Sequence, residues 1–374
     1  MCSRANAFRM VLTYDISERL LHFKQPAGTS RGIYTTRRSW FVTLTDDMGR
    51  QGIGECAPLP NLSCDDIPDY AFQLRELCEM LCLEAARGQW SAATVRQSAF
   101  GKDSLLQAAF RPFPSMQFGI ETALCHLERG GTALFDTAFA RGEEGIPING
   151  LVWMGSFDEM LARIEEKMNA GFRCVKLKIG AIDFDQELDL IRHIRGSFTK
   201  EQIELRVDAN GAFTPDVAMR RLEQLARYDI HSIEQPIRQH QWQEMAHLCR
   251  HSPLPIALDE ELIGVNSPDQ KQDLLDTIAP AYIILKPSLH GGMAGSAEWI
   301  GMARERGIGS WITSALESNV GLNAIAHFTA AIYGSHIALP QGLGTGQLFT
   351  DNISMPLEIR GDMLWYKRQS ATSG

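Results

Sequence analysis

The stretch "CVKLKIG", residues 174–180, sets two lysines one position apart in an otherwise apolar run. In a strand, Lys176 and Lys178 share one face, and Val175, Leu177 and Ile179 share the other. Taken alone, an exposed strand with its lysines in water explains the pattern. The rest of the chain changes that reading. Short apolar runs ending in a polar residue recur, each leading into a helix-like stretch. "CVKLK" ends at Lys178, "IELRVD" at Asp208, "HSIE" at Glu234, "PIALD" at Asp259, "YIILK" at Lys286 and "SWITS" at Ser314. These ends lie 25 to 30 residues apart, one βα unit each time. With "IPINGLVW" before and "HIALPQGLGTG" after, eight strands alternate with helices. That predicts an α/β fold closed into a (β/α)8 barrel. A doubly wound open sheet is the competing architecture. "GLGTG" opens no convincing helix, so its glycines are no dinucleotide fingerprint.

The helix starts are well marked. "SFDE" at 156–159 is a capping box, and "TPD" from 214 and "SPD" from 267 place Pro after an N-cap candidate. Gly171, Gly196 and Gly307 are expected to end helices. Before residue 145 the character differs. "FRMVLTYDISERLL" and "SWFVTLTDDMGRQGIGECAPLP" alternate apolar and polar residues around the turn signal "DDMG", which predicts an antiparallel meander. Helical spacing comes next, at roughly 66–88 and 115–130. The domain expectation is an α+β cap over 1–130, rejoined by the tail 341–374, and a barrel over 131–340.

Composition narrows the function classes. Across 374 residues, 44% are hydrophobic and 22% charged, with a net charge of −9. This acidic balance argues against a nucleic-acid binder. No apolar run is long enough to span a bilayer, and "MCSRANAFRM" lacks a signal peptide's apolar stretch. Eight cysteines, at 2, 56, 64, 78, 82, 125, 174 and 249, form no CxxC pair or zinc-like cluster, which fits reduced thiols in a cytoplasm. His247 and His251 read as a solvated helix face.

In a parallel barrel the outward strand face packs on helices, while the inward face at the carboxyl ends opens into the loops. Both lysines of "CVKLKIG" then point inward. Lys178 joins a ring with Asp208, Glu234, Asp259 and Lys286. Three buried carboxylates repel unless a cation neutralises them, and an all-oxygen set suits Mg²⁺. Singly, each residue reads as structural, since an acid at a strand end is often a helix N-cap. A divalent ion flanked by lysines suits removal of a proton next to a carboxylate, through an enediolate. A lysine can be the base. Racemisation by two bases and elimination by one both fit.

The set "KLK", "VDAN", "IEQP", "LDEE" and "LKPS" resembles the enolase superfamily, in particular its muconate-lactonizing-enzyme subgroup. The resemblance spans nearly the whole chain and implies an α+β cap, a modified barrel and a tail returning to the cap. It implies Asp208, Glu234 and Asp259 as metal ligands, with Mg²⁺ bound and Mn²⁺ a substitute. Lys178 and Lys286 match the two catalytic lysines. A histidine in place of Lys286 would mark the mandelate-racemase-like members. The eighth strand lacks the DxD motif with which dipeptide epimerases hold a substrate ammonium. "SALESNVGLNAIAHF" and "GLGTGQLFTDN" instead resemble the o-succinylbenzoate synthases of menaquinone biosynthesis. That resemblance implies syn dehydration of a succinyl-hydroxycyclohexadiene carboxylate. Lys178 would take the α-proton and protonate the departing hydroxide, with Lys286 a cation over the opposite face. N-succinylamino acid racemisation, or another racemase or epimerase activity of the subgroup, stays open, as does, remotely, a non-catalytic metal-binding barrel.

Lys176, Asn210, Ser314 and Glu317 stand where contacts fall to substrate or to the residues that hold it, each equally suited to a structural hydrogen bond. "KQPAGTSRGIYTTRRSW" (24–40) resembles the loop that closes over substrate, and otherwise reads as a surface hairpin. "GLGTG" suits a succinyl-carboxylate contact better than a phosphate cradle, since no basic residue stands within it. The expected partner is a small-molecule carboxylate, with no nucleic acid and no membrane.

Overall fold

A computed structural model describes residues 11–29, 32–87, 91–101, 104–152, 155–180 and 182–367. Parts of the segments quoted from the sequence (1–10, 30–31, 88, 153–154 and 368–374) lie outside the described residues. The chain opens with three antiparallel strands, β1 (Thr13–Thr29), β2 (Gly32–Thr45) and β3 (Gln51–Cys56), in the order β1-β2-β3. The "DDMG" turn joins β2 to β3: Asp46 accepts from the Met48 and Arg50 amides, and Gly49 takes the left-handed conformation. The 24–40 stretch runs through β1 and β2 as a long hairpin, with a register shift between His22 and Ala27. Four helices come next: α1 (Tyr70–Ala85), α2 (Ala92–Phe100), α3 (Leu105–Phe110) and α4 (Pro114–Arg129). Sequence periodicity marks α1 and α4 but not the two short helices between them. Side chains from β2, α1 and α4 share one core, with Val42, Leu44, Leu74, Leu77, Leu81 and Leu124 sealed from solvent. The alternating glycines of β3 let α4 lie close. A Cβ on Gly52 or Gly54 would collide with the α4 backbone at Ala123 or Gly119.

After a two-residue strand β4 (Ile146–Pro147) the barrel begins. Its strands are β5 (Gly150–Val152), β6 (Cys174–Lys178), β7 (Glu204–Asp208), β8 (Ser232–Glu234), β9 (Ile256–Leu258), β10 (Tyr282–Leu285) and β11 (Gly309–Ile312). They pair in parallel in sequence order. Between and after them run α5 (Phe157–Asn169), α6 (Phe184–Ser197), α7 (Pro215–Leu225), α8 (Trp242–His251), α9 (Pro268–Ile278), α10 (Gly292–Glu305) and α11 (Asn319–Tyr333). Ser156 and Glu159 form the expected capping box on α5, and Ser267 caps α9 through the Gln270 amide. Thr214 stands at the N-cap of α7 without a side-chain bond. Gly171 and Gly307 turn the chain after α5 and α10 with positive φ, whereas Gly196 lies inside α6. His247 and His251 lie on α8, with the His251 ring bonded to the His247 carbonyl, on an exposed part of the helix.

The expected eighth strand is reduced to a seam. Gln341 bridges Ile148 and Gly342 bridges Thr313, which closes the gap between β5 and β11 with two parallel bridges. Pro340 cannot donate to a ladder, and the glycines just after it add no side chains to pack. The tail then touches both parts of the molecule. Phe349 bridges Phe23 of β1, and β12 (Leu357–Arg360) with β13 (Met363–Tyr366) forms an antiparallel sheet with β4.

Val175, Leu177, Leu205, Val207, Ile233 and Ile283 pack outward against the helices in the main barrel core. Inside the barrel, Ala257, Ile284 and Trp311 form a small plug, with the Arg206 guanidinium 4.3 Å from the Trp311 ring centroid. The space above that plug holds the charged strand ends.

Candidate active site

The register of the parallel sheet gathers the ring. Lys178 pairs with Asp208 across β6 and β7, and Asp208 pairs with Glu234 across β7 and β8. Asp259 and Lys286 stand one residue beyond β9 and β10. Lys176 spans two carboxylates, with its Nζ 2.9 Å from Asp208 Oδ2 and 2.6 Å from Glu234 Oε2. Lys178 Nζ lies 3.1 Å from Asp208 Oδ2 and donates to Asn210 Oδ1 at 2.7 Å. Lys286 Nζ donates to Asp259 Oδ2. Asn210, held with positive φ, passes a further bond from Nδ2 to Glu260 Oε1 at 3.0 Å.

All of these side chains line one cavity of about 650 Å³. Ser314, Leu316, Gly342, Gly344 and Thr345 form another part of its wall, and Ser314 Oγ meets Thr345 Oγ1 at 2.6 Å. From the hairpin, Lys24, Gln25, Pro26, Ala27 and Tyr34 reach it, beside Leu59 and Leu62. Glu317 does not line the cavity. Its carboxylate accepts from Ser288 Oγ and from the Ala315 amide, so it braces the loops after β10 and β11 from behind. Two residues around the site are missed by sequence reasoning. Glu260 stands one position past the strand-end Asp259, outside the βα repeat, and "LDEE" is its one visible signal. Arg37 carries no signal beyond the alternation of a strand.

Electrostatics explain why the ring is unusual. Four carboxylates, Asp208, Glu234, Asp259 and Glu260, face three ammoniums, all nearly shut off from water. Burial pushes the Glu234 carboxyl well above the usual range, aided by Asp208 and opposed by Lys176. Burial also works to raise Asp208, but Lys176 and Lys178 outweigh it and hold that group low. Lys286 does the same for Asp259. Burial disfavours the charge on Lys286, yet Asp259 and Glu260 keep its proton more firmly bound than on a free lysine. Burial, helped by Asp259, pushes Glu260 to about 7.

Among the described residues no three His, Cys, Asp or Glu side chains are already gathered as a metal-holding group, and lysines tie the carboxylates instead. The ties are incomplete. Glu234 Oε1, Asp259 Oδ1 and Glu260 Oε2 are buried without a hydrogen-bond partner. Unpaired buried oxygens are costly, and oxygens alone are the donors a hard divalent cation takes. The residues therefore fit such an ion.

A family described as "Enolase C-terminal domain-like" matches residues 159–364. The o-succinylbenzoate synthase of Desulfotalea psychrophila is 49% identical over 95% of this chain and 98% of its own. The crystal structure of MenC from Desulfotalea psychrophila superposes with a TM-score of 0.80 at 44% identity, over 96% of this chain and 100% of that one. A muconate lactonizing enzyme from Pseudomonas fluorescens shares the fold, with a TM-score of 0.78 at 22% identity over 96% and 94% of the two chains. The chain belongs to the enolase superfamily, with the cap and modified barrel of that fold. It is an enzyme, a lyase of the o-succinylbenzoate synthase-like kind.

Proposed function

We propose that this enzyme is a Mg²⁺-dependent dehydratase converting a succinyl-hydroxycyclohexadiene carboxylate to o-succinylbenzoate, a step of menaquinone biosynthesis, by β-elimination through an enediolate. The observation that carries the proposal is a pair of lysines, Lys178 and Lys286, on one ring of buried carboxylates with unpartnered oxygens. Similarity to the Desulfotalea psychrophila synthase over nearly the whole chain supports the choice of reaction.

Asp208, Glu234 and Asp259 would hold Mg²⁺, with Mn²⁺ a substitute. When bound, the ion would engage the substrate carboxylate and stabilise enediolate charge. Lys178 removes the α-proton and returns it to the departing hydroxide. Lys286, whose carboxylate neighbours favour its charged form, lies over the other face as a fixed cation. Lys176, Asn210 and Ser314 contact substrate or its immediate partners, whereas the bracing position of Glu317 supports an indirect role. Of the acids lining the cavity among the described residues, only Glu166 lies outside the ring, and it pairs with Lys167. We take the cap to be 1–130 with the tail 341–374, and the cytoplasm to be the compartment.

The test is conversion of the hydroxydiene acid to its aromatic product, lost in EDTA and restored by Mg²⁺ or Mn²⁺. No turnover with either ion refutes the proposal. Lysines able to reach both substrate faces also suit an N-succinylamino acid racemase. Deuterium uptake at the α-carbon of such acids measures that second activity.

A further inference from the structure

Among the described residues Arg37 is the largest charged side chain that is fully buried, 1% exposed, and it lies outside both the ring and the cavity lining. It leaves β2 of the cap and ends against the loop after β11. Its Nε donates to the Leu316 carbonyl and its Nη2 to the Ala315 carbonyl, both at 3.3 Å. The remaining donors go to the cap itself, to Ala57 at 2.6 Å and to Pro58. One guanidinium thus joins two cap carbonyls to two loop carbonyls, a span that its rigid fork of donors allows and a lysine cannot match.

The loop it grips is bent unusually. Leu316 has φ +64°, a left-handed conformation that a leucine keeps only when its surroundings impose it. The bend sets Leu316 in the cavity wall beside Leu59 and within the small cluster of Leu21, Phe23, Ala27 and Phe349. Ser314 lies two residues earlier, and Glu317 binds Ser288, two residues beyond Lys286. A second cap residue holds the far side of the same loop. Glu55 of β3, fully buried, accepts from the Ser318 and Gly321 amides at 2.9 Å, where α11 begins. Carbonyls of residues 315–316 are thus fixed by a cation and amides of 318–321 by an anion, both supplied by the cap.

We propose that Arg37 is a positioning residue for substrate binding, which imposes the left-handed bend at Leu316 and so completes the cavity wall from outside it. Cap docking and completion of the site are then one event. The proposal rests on the dehydratase reading only for the choice of ligand.

The experiment compares Arg37→Lys and Arg37→Met with the unaltered enzyme. KM and kcat are measured for the hydroxydiene acid, calorimetric Kd for o-succinylbenzoate, and hydrogen exchange for the amides of residues 315–321. Losing hydrogen bonds from a charged donor predicts KM and Kd about tenfold higher in Arg37→Lys, with more in Arg37→Met, kcat within about threefold, and faster exchange in the loop. A fall in melting temperature with KM, Kd and exchange unchanged would show a purely structural arginine and overturn the proposal. So would a loss confined to kcat. Should Arg37→Met fail to fold, Arg37→Lys decides together with Leu316→Gly, which keeps Arg37 but removes the imposed side chain and must raise KM likewise. If the unaltered enzyme binds no o-succinylbenzoate, the dehydratase reading falls, while loop exchange in Arg37→Lys still decides the role of Arg37.

Discussion

Two groups of buried charge, Glu55 in the cap and the ring at the strand ends of the barrel, are finished differently. Glu55 uses both carboxylate oxygens: Oε1 accepts from Ser39 and the Ser318 amide, and Oε2 from Ser318 Oγ and the Gly321 amide. In the ring, Glu234, Asp259 and Glu260 each keep one buried oxygen without a partner. A buried charge with every lone pair satisfied can hold a structure together, whereas one left short is kept at a cost in stability. Positions where local rules are broken in this way are where function is expected. Charges that serve turnover and charges that serve the fold are then separable by mutation.

The largest separation is expected at Lys178. One residue that takes and returns a proton should be worth at least the upper end of the ~10²- to 10⁴-fold range of general acid–base work. Lys178→Ala should therefore abolish measurable dehydration in steady-state assays. It should leave denaturant stability close to that of the unaltered chain, because Asp208 keeps Lys176 as a partner. Substantial residual turnover would remove Lys178 from the role of base.

Next comes Lys286. As an electrostatic partner it needs only charge, so Lys286→Arg should retain roughly tenfold more dehydration than Lys286→Ala. Exchange of an N-succinylamino acid α-proton requires a group that gives and takes protons, and arginine, with a pKa above ~12, does neither readily. That activity should fall further than dehydration in Lys286→Arg. Equal losses in both assays would place a second base, rather than a fixed cation, at this position.

A direct contrast pits Glu234→Gln against Glu55→Ala. The first removes a carboxylate that burial, aided by Asp208, already pushes toward protonation, so unfolding free energy without added ions should change by about 1 kcal/mol or less. Turnover should collapse and recover only in part at raised Mg²⁺. The second strands two amides and two hydroxyls and should cost about 3 kcal/mol of stability. If Glu234→Gln proves the more destabilising, the division between serving charges and structural charges fails.

The same division decides what the sequence can show. The ring is legible because barrel geometry repeats: one polar residue per βα unit is visible as spacing, and parallel register then makes Lys178, Asp208 and Glu234 neighbours. The capping box of α5 is legible because it is local. Arg37 and Glu55 are not, since their partners lie 279 and 263 residues away and no repeat connects cap to loop. The place of Glu317 along the chain suits a substrate contact and a structural hydrogen bond alike, and its bond with Ser288, 29 residues away and behind the wall, is one that no spacing announces. The expected eighth strand fails for a local reason, since Pro340 and the glycines after it permit two bridges and no ladder.

The smallest expected effect concerns a second cap carboxylate, Glu121 of α4. It accepts from the Met293 and Ala294 amides at the start of α10 and from Gln117 Nε2 at 3.1 Å. Like Glu55, it serves a barrel helix from the cap. Burial nevertheless prevails over these donors and pushes its carboxyl to about 7, from an ordinary 4.5. The folded chain therefore binds this proton more tightly than the unfolded chain does. Its contribution to stability is fully present below about pH 4.5 and is lost as pH rises through about 7. Asp65, buried and pushed to about 6, acts in the same direction. His290 and His327, buried and pushed down to about 3, act in the opposite direction, so the measurement is a difference. Between pH 5.5 and 8 the unfolding free energy of the unaltered chain, measured in denaturant, should fall relative to that of Glu121→Gln by on the order of 2 kcal/mol. A variant that unfolds with the unaltered pH slope would mean that the α10 amides keep Glu121 ionised throughout, making it a charge as complete as Glu55.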